Sequence, residues 1–385
     1  MNRFVRDVSI IGGSVAGLLA ARELASRGID VTVYEDHREI GIPEKCDGLV
    51  SSSGMSELGL LPPSNVVQNE LTKCRFFSPS MKEVVIDARK QNVIVLDRSR
   101  FDKYLAETAA REGAKIELGR RVSSFSQTKE MTSLKIGTEE ISSKLLLNCS
   151  GCESFIRAGG KTLQGAQYLV YGSWFDKSTV EVYVNPNDAP GFFEWVIPIS
   201  SDIAKIGVAG TRINTFEVMD AFVKERKAIA FRKTAAAVIA SGAIKSFVDG
   251  RIARAGDAAG QPKPTSGGGI YTGGYGGMMA GRAASEAIKT DDMTKLRQYE
   301  SIWREKFEDE FRMQLLARNA FAKLNAKQLD QLMEMIASSD IPEKISEEGD
   351  FDRHSISIIK AFGLANLFSV LGLVVSNEIK SLLRQ

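Results

Sequence analysis

The sequence predicts an α/β protein in three parts: a domain around a parallel sheet, a second domain built on an antiparallel sheet, and a helical C-terminal region. Three observations predict this class. A strand, a glycine-rich turn, a helix and a second strand follow one another at the N-terminus. Aromatic residues and strand patterns concentrate in residues 165–208. Beyond about residue 290 the chain is charged and has helical patterning.

The N-terminal segment has the pattern of a Rossmann-like βαβ unit. Residues 8–11 form an apolar strand, residues 12–17 (GGSVAG) make a turn, residues 18–27 have helical periodicity, and Val31–Tyr34 is a second strand followed by Glu35. In such units the pyrophosphate of a dinucleotide lies at the helix N-terminus, where free N–H groups and the helix dipole stabilise anions. Glu35 has the spacing expected for the carboxylate that binds a ribose hydroxyl. Ser14 takes the place of the second glycine of the usual motif, and its side chain is small.

Two further segments indicate which dinucleotide binds. Arg98 precedes an amphipathic helix within residues 95–118, and residues 251–281 contain Gly256-Asp257 and then three glycines that open a long helix. An aspartate at a strand end can bind a polyol hydroxyl, and glycine N–H groups at a helix start can bind a phosphate or an electron-rich ring edge. NAD needs neither segment. A flavin dinucleotide has a ribityl chain and a ring for them to hold, so the pattern favours FAD.

Composition excludes several function classes. A net charge of +2 gives no electrostatic footprint for nucleic acid. The four cysteines are too few for a disulfide scaffold and indicate a reducing compartment, so we expect a cytoplasmic protein. With only two histidines, histidine triads and multi-histidine zinc sites are excluded, and we expect no metal.

The motifs together resemble a known family. GGSVAG, Glu35, DRSRFD at residues 97–102, and AGDAA with a downstream GGGI are similar to the FAD-binding pattern of the p-hydroxybenzoate hydroxylase-like flavoproteins. PEKCDG at residues 43–48 and FEWVIP at residues 193–198 resemble the P-x-x-C-x-G and Y-x-W-x-F-P motifs of the geranylgeranyl reductase family, in particular the archaeal enzymes that saturate isoprenoid chains of membrane lipids. Phe193 and Ile197 replace the tyrosine and phenylalanine of the second motif.

The resemblance implies a set of site residues. In that family the loop of residues 43–48, here called the thiol loop, lies against the flavin ring, so Cys46, Gly48, Trp195 and Phe193 are the candidate catalytic residues. A purely packing role for Cys46 is an equal alternative. The candidate FAD-binding residues come from separate segments of the chain: Gly12, Ser14, Ala16, Gly17, Glu35, Cys46, Asp47, Gly48, Arg98, Val122, Asp257, Gly268, Gly269 and Ile270.

The domain organisation follows from these assignments. We predict a discontinuous FAD-binding domain (residues 1–60, 85–160 and 250–290), a substrate domain (61–84 and 161–249) and a C-terminal helical region (291–385). The aromatic-rich sheet could line a tunnel for a long apolar chain, although most of its rings are expected in the core of the domain. Residues 361–375 form an apolar run too short to span a bilayer, which suits a docking helix or a peripheral contact with the inner face of the membrane.

The predicted function is an FAD-dependent reductase of C=C bonds in geranylgeranyl or related isoprenoid chains, with a prenyl lipid as substrate. The electron donor stays open between a ferredoxin and a nicotinamide cofactor, because no second nucleotide motif is visible. Two alternatives remain: a flavin monooxygenase or halogenase, since W-x-I-P also resembles a halogenase motif, and a non-catalytic flavin or lipid-binding protein. Cys149 and Cys152 have C-x-x-C spacing, and we favour inert packing over a redox dithiol.

Overall fold

The computed structural model describes residues 5–353 of the chain, which form a mixed α/β protein. In that part of the chain the strands are β1 (Arg6–Ile11), β2 (Val31–Tyr34), β3 (Leu49–Ser51), β4 (Val67–Leu71), β5 (Lys73–Phe77), β6 (Glu83–Asp87), β7 (Val93–Leu96), β8 (Lys115–Glu117), β9 (Val122–Gln127), β10 (Thr132–Ile136), β11 (Glu139–Asn148), β12 (Thr162–Tyr171), β13 (Thr179–Tyr183), β14 (Glu194–Pro198), β15 (Ile203–Gly210), β16 (Ile229–Ile239), β17 (Val248–Asp249) and β18 (Ile252–Arg254).

The α-helices of the same residues alternate with these strands in the first half and dominate the end of the chain. They are α1 (Val15–Ala25), α2 (Ser52–Glu57), α3 (Arg98–Arg111), α4 (Cys152–Arg157), α5 (Thr215–Glu225), α6 (Ile270–Thr290), α7 (Arg297–Phe321), α8 (Ala326–Ala337) and α9 (Ile341–Glu348). None of the helices within residues 5–353 is both long enough and apolar enough to span a bilayer. The predicted apolar helix at residues 361–375 lies outside the described residues.

The first sheet carries the predicted βαβ unit. Its strands are ordered β17-β18-β11-β1-β2-β8, with β10 and β9 attached beside β11. Since β1 pairs in parallel with both β2 and β11, their carboxyl ends meet at one edge of the sheet. Helices α1 and α6 approach closely behind this edge, because an added β-carbon at Gly277 would lie only 2.1 Å from the Ala16 carbonyl oxygen. Both helices are thereby held close to the same sheet edge.

The second sheet has seven strands in the order β16-β12-β15-β14-β13-β5-β6. All its pairings are antiparallel except that of β13 with β5. One face is covered by α5, whose Met219, Phe222 and Val223 join the buried side chains of the central strands. The predicted antiparallel second sheet is confirmed, and many of its aromatic rings lie in this core, as expected.

The C-terminal helices close one side of the second sheet. Met333 of α8 shares an apolar cluster with Val84 and Ile86 of β6. Strand β6 runs across the predicted domain boundary between residues 84 and 85, and it pairs along its length with β5 of the second sheet. A third, small sheet, β3-β7-β4, lies between the two parts. The chain then returns to the nucleotide-binding side, where the Asp352 carboxylate accepts a hydrogen bond from Ser51 and pairs with the buried Lys263.

Candidate active site

A single large cavity of about 2140 Å³ connects the two main sheets and the C-terminal helices. Pockets for one small ligand usually measure about 300–1,000 Å³, so this cavity has room for more than one molecule. Of the predicted site residues only Gly17 does not line it. The cavity is lined by Gly12, Ser14, Ala16, Glu35, Cys46, Asp47, Gly48, Arg98, Val122, Phe193, Trp195, Asp257, Gly268, Gly269 and Ile270.

The N-terminus of α1 faces this cavity without a side-chain cap. Ser14 is at the N-cap position, but its hydroxyl donates to Asp102 Oδ2 at 3.0 Å and makes no capping bond. The N–H groups of the first helical turn are therefore left for an anion. Gly17 has a packing role here: an added β-carbon would lie 2.0 Å from the Gly12 carbonyl oxygen, so only glycine lets the helix approach the turn.

Glu35 is held by the glycine turn. Its Oε2 accepts a hydrogen bond from the Gly13 N–H at 2.7 Å, and its Oε1 accepts one from the His37 N–H at 3.1 Å. Burial alone would raise the pKa of Glu35, but these donors hold it below its usual range. An ionised carboxylate at this place suits the ribose hydroxyls of an adenosine.

Arg98 links the start of α3 to the thiol loop. Its guanidinium donates to both oxygens of Asp102 and, at 3.1 Å, to the Ser14 hydroxyl. Burial alone would lower the pKa of Arg98, but Asp102 and the neighbouring Cys46 sulfur raise it. The cation is thus fixed beside both the helix N-terminus and the predicted reactive thiol.

The thiol loop lies directly on strand β7. Gly48 has a φ of +82° and an added β-carbon there would lie 2.2 Å from the Leu96 carbonyl oxygen. A larger residue would push the loop off the strand, since both the backbone conformation and the close approach require glycine. The Leu96 N–H donates to the Gly48 carbonyl at 2.9 Å, which fixes the same contact.

Lys205 supports the loop from below, and sequence reasoning missed it. The side chain is 1% exposed, and its ammonium donates to the carbonyl oxygens of Asp47 and Leu96 at 3.0 and 3.2 Å. It also pairs with Glu44 Oε1 at 2.8 Å, while Arg232 pairs with Glu44 Oε2 at 2.7 Å. Burial alone would raise the pKa of Glu44, and the two cations lower it. A lone lysine in the otherwise apolar strand β15 was the available signal.

The Asp47 carboxyl has no such support. Its buried Oδ1 and the buried Nε1 of Trp195 make no hydrogen bond of standard geometry with any described residue. Burial raises the pKa of Asp47 to about 6, against the lowering effects of Lys205 and of the nearby Trp195 indole. A carboxyl that exchanges its proton near neutral pH, next to a motif tryptophan, is typical of a functional site.

Trp195 and Phe193 form one wall of the cavity near the thiol loop. The indole lies over Gly207, where an added β-carbon would be 2.2 Å from the ring. Phe193 stacks on Phe192 at a ring-centre distance of 4.2 Å and meets Trp195 edge-on at 5.8 Å. These contacts fix the orientation of both wall residues.

Beyond this wall the cavity continues as an apolar chamber, here called the far chamber. Its walls are aliphatic more than aromatic, and a third of the lining residues come from the C-terminal helices, which sequence reasoning did not assign to the site. The lining residues are Cys74, Phe76, Val84 and Ile86 of β5 and β6, Val180 and Val182 of β13, Met333 and Ile336 of α8, and Ile345 of α9.

The glycine turn before α6 forms the opposite wall. Gly269 is the N-cap of this 21-residue helix and offers no side chain to cap it, so the helix N-terminus opens to the cavity. Asp257 is exposed within the cavity beside it. The crowded surroundings raise the pKa of Asp257, which Arg98 partly opposes.

The C-x-x-C cysteines are free thiols. Burial raises the pKa of Cys149 to about 12, and burial together with Asp257 raises that of Cys152 to about 11. Reactive cysteines have lowered pKa values, so these surroundings agree with the packing role favoured above.

These features fit FAD. Two uncapped helix N-termini, a carboxylate held for a ribose and an aspartate beside the second helix all face one cavity. The model of the FAD binding domain family matches residues 6–309, most of the chain. The protein is therefore an FAD-dependent oxidoreductase with the fold of the p-hydroxybenzoate hydroxylase-like flavoproteins, as predicted.

Relatives narrow the class. A digeranylgeranylglycerophospholipid reductase of Methanocaldococcus jannaschii is 31% identical over 363 residues, which cover 87% of this chain and 91% of that protein. A digeranylgeranylglycerophospholipid reductase of Methanothermobacter thermautotrophicus is 30% identical, with coverage of 88% and 92%. The chain belongs to the geranylgeranyl reductase family of FAD-binding flavoproteins.

Solved structures share the fold. A geranylgeranyl bacteriochlorophyll reductase-like protein of Thermoplasma acidophilum superposes with a TM-score of 0.84 at 23% identity, covering 97% of this chain and 99% of that one. A flavin-dependent brominase superposes with a TM-score of 0.71 at 18% identity, with coverage of 97% and 99%. At these identities the likeness is one of fold alone. The individual site residues stay predictions.

Proposed function

We propose that the protein is an FAD-dependent reductase that saturates C=C bonds of geranylgeranyl chains, in membrane ether lipids or in their prenyl precursors. The observation that carries the proposal is the continuity of the cavity, which runs from the thiol loop past Trp195 into the far chamber. A large cavity whose far chamber has aliphatic walls suits an isoprenoid better than a small polar molecule. The names of the relatives agree with such a substrate.

The walls of the far chamber would hold the chain and exclude water. An isolated alkene is a weak electrophile, so reduction depends on positioning in a dry site. When bound and reduced, FAD supplies a hydride for one alkene carbon, and a proton must reach the other. We assign that proton to the Asp47 carboxyl, because Asp47 lines the cavity together with Trp195 and its Oδ1 makes no hydrogen bond of standard geometry with any described residue.

Lys205 and Gly48 would act through the thiol loop. The ammonium holds the Asp47 carbonyl at 3.0 Å, so the backbone of the loop is fixed while the Asp47 side chain stays free to exchange a proton. Gly48 keeps the loop flat on β7, which leaves the space above it open to the cofactor and the substrate.

The test is a product measurement under anaerobic conditions. The FAD-loaded protein is reduced with dithionite and incubated with geranylgeranyl diphosphate or an unsaturated ether lipid, and the products are weighed by mass spectrometry. We expect a gain of two hydrogens for each reduced bond. Recovery of unchanged substrate would contradict the proposal, and oxygen-dependent insertion of an oxygen atom would favour a monooxygenase.

A matched pair of variants links the product to the far chamber. Met333→Trp places a large ring in the cavity wall, whereas Met335→Trp changes a residue of the same helix that does not line the cavity. We expect the first variant to lose activity on a C20 chain more than on a C10 chain, and the second to behave like the unmodified protein. Equal loss for both chain lengths would contradict the assignment of the far chamber.

A further inference from the structure

The cavity opens to the surface at a mouth formed by strand β16, the turn before α6 and helix α7. Here the mouth is defined as the residues that are exposed and also line the cavity on this side: Ala235, Ala237, Ser266, Leu316 and Ala317. Leu316 is 59% exposed. The parts of the mouth touch one another, because Thr265 donates to Gln314 Oε1 at 3.2 Å and an added β-carbon at Gly267 would lie 2.6 Å from Val238.

Four of the five mouth residues are apolar, and the fifth is Ser266. Arg318, next to the mouth, is charged. It follows Ala317 on α7, lines the cavity and is half-buried. Its Nε is buried without a hydrogen-bond partner, and no carboxylate of residues 5–353 forms an ion pair with it. Burial lowers the pKa of Arg318, with no neighbouring charge to offset the effect.

Four other arginines that line the cavity form ion pairs within the protein. Arg98 pairs with Asp102, Arg120 with Glu139, and both Arg121 and Arg157 with Glu153. An unpaired, half-buried guanidinium is costly to maintain, because its desolvation is not compensated. The arrangement at Arg318 therefore suits a counter-ion that arrives with a ligand.

The chemistry of that ligand follows from the place of the charge. A molecule whose chain fills the apolar cavity and whose polar end stays at the mouth would bring that end to Arg318. A planar guanidinium binds phosphate oxygens in pairs, with stronger hydrogen bonds than neutral donors make. We propose that Arg318 binds a phosphate ester at the polar end of the prenyl chain, a recognition site that rests on the proposed function.

The test compares substrates that share one chain and differ in the end group. Geranylgeranyl phosphate and geranylgeraniol are given to the anaerobically reduced protein and to its Arg318→Gln variant. We expect the KM for the phosphate to rise roughly 10- to 100-fold in the variant, as for loss of a charged hydrogen bond, while the KM for the alcohol and both kcat values change little. Equal changes for the two substrates, or none, would overturn the proposal.

Two variants of α7 serve as controls. Arg312→Gln removes an exposed arginine of the same helix that pairs with Asp309 at 3.5 Å, and it should leave both substrates unaffected. Arg318→Lys keeps the charge but not the planar fork, and it should restore part of the affinity for the phosphate. Failure of the lysine to restore any affinity, with a normal far-UV spectrum, would argue against a charge contact.

A binding measurement separates this inference from the proposed function. Equilibrium dialysis of geranylgeranyl phosphate against both proteins does not require turnover. If neither protein reduces the chain but the variant binds the phosphate less tightly, the proposed function fails and the anion site stands; equal binding overturns the site. Repeating the dialysis with a digeranylgeranylglyceryl phosphate identifies the source of the phosphate by the larger loss.

Discussion

The site residues described above differ in how their polar groups are satisfied on the two sides of the cavity. On the nucleotide side, Glu35 accepts from the Gly13 N–H, and Arg98, Asp102 and Ser14 bond to one another. On the substrate side, Asp47 Oδ1, Trp195 Nε1 and Arg318 Nε are buried without standard partners among the described residues. Buried polar groups are nearly always hydrogen-bonded, so this contrast is informative.

The polar site residues of the nucleotide side bond to one another, whereas those of the substrate side are left to bond to a ligand. The nucleotide side is organised before the cofactor binds, which lowers the entropic cost of binding. The unpartnered groups on the substrate side reduce stability until something pairs with them, a trade-off common at functional sites. Lys205 connects the two situations. Its ammonium bonds to two carbonyl oxygens and to Glu44, and it thereby holds the loop that carries the unpartnered Asp47 carboxyl.

The largest expected effect is the loss of folding free energy when Lys205 is replaced. Lys205→Met leaves the Glu44 carboxylate and two carbonyl oxygens without their buried cation, and breaking such a pair costs about 3–5 kcal/mol of folding free energy. Denaturant titration measures the change. Lys233→Met is the control, since it breaks the exposed pair with Asp220 and should cost about 1 kcal/mol or less. Similar losses of folding free energy for both variants would show that burial of the Lys205–Glu44 pair does not matter.

The second prediction tests the close fit of the glycine turn on the nucleotide side. Gly12 has a φ of +98°, and an added β-carbon would lie 2.4 Å from the Cys149 carbonyl oxygen. Strain and overpacking together should cost Gly12→Ala roughly 2–5 kcal/mol, so we expect it to purify without flavin absorbance. Gly28→Ala shares the positive φ but meets nothing within 4 Å, and it should retain FAD. A yellow Gly12→Ala protein with one FAD per chain would refute the close fit.

The third prediction uses the pH dependence of stability to test the unpartnered Asp47 carboxyl. Because the pKa of Asp47 is raised to about 6 in the folded protein, from an ordinary value of 3.8, the folded state favours the protonated carboxyl. Asp47→Asn should therefore stabilise the protein by up to about 3 kcal/mol above pH 6, with the gain developing between pH 4 and 6 and absent below. Thermal unfolding at several pH values measures it. A destabilised variant at pH 8 would mean that the ionised carboxylate has a partner.

The smallest effect belongs again to the nucleotide side. Glu35→Gln keeps an oxygen that can accept from the Gly13 N–H but removes the charge, so FAD binding should weaken by about 1 kcal/mol, or roughly fivefold. Fluorescence titration of the apoprotein with FAD measures the change. Glu39→Gln alters an exposed carboxylate that pairs with Lys103, and it should bind FAD normally.

Local patterns predicted the nucleotide side, because its elements are close in sequence. The βαβ unit, the glycine turn and Glu35 lie within the first 35 residues and are held by mutual backbone contacts. The substrate side joins residues from both ends of the chain. Ile86 and Met333 share a cluster, and no periodicity in either segment indicates the other.

Single charged residues were the hardest to assign. Lys205 is recognisable in retrospect as a lone lysine in a buried strand. Arg318 lies on the amphipathic helix α7 among many exposed charged residues, and only the three-dimensional structure distinguishes it by its missing partner. The predicted site residues other than Gly17 line one cavity, while their individual roles await the tests above.

The late position of α8 and α9 has a consequence for synthesis of the protein. Strands β5 and β6 present apolar side chains that are covered by Met333, which the ribosome adds roughly 250 residues later; at ~5–20 residues per second the delay is on the order of ten to fifty seconds. During that interval the nascent chain exposes to the surrounding solution the apolar side chains that later line the far chamber. The Ser51–Asp352 contact then joins the last helices to the first domain. Synthesis of α8 and α9, and not of the two main sheets, would therefore set the time at which the far chamber closes.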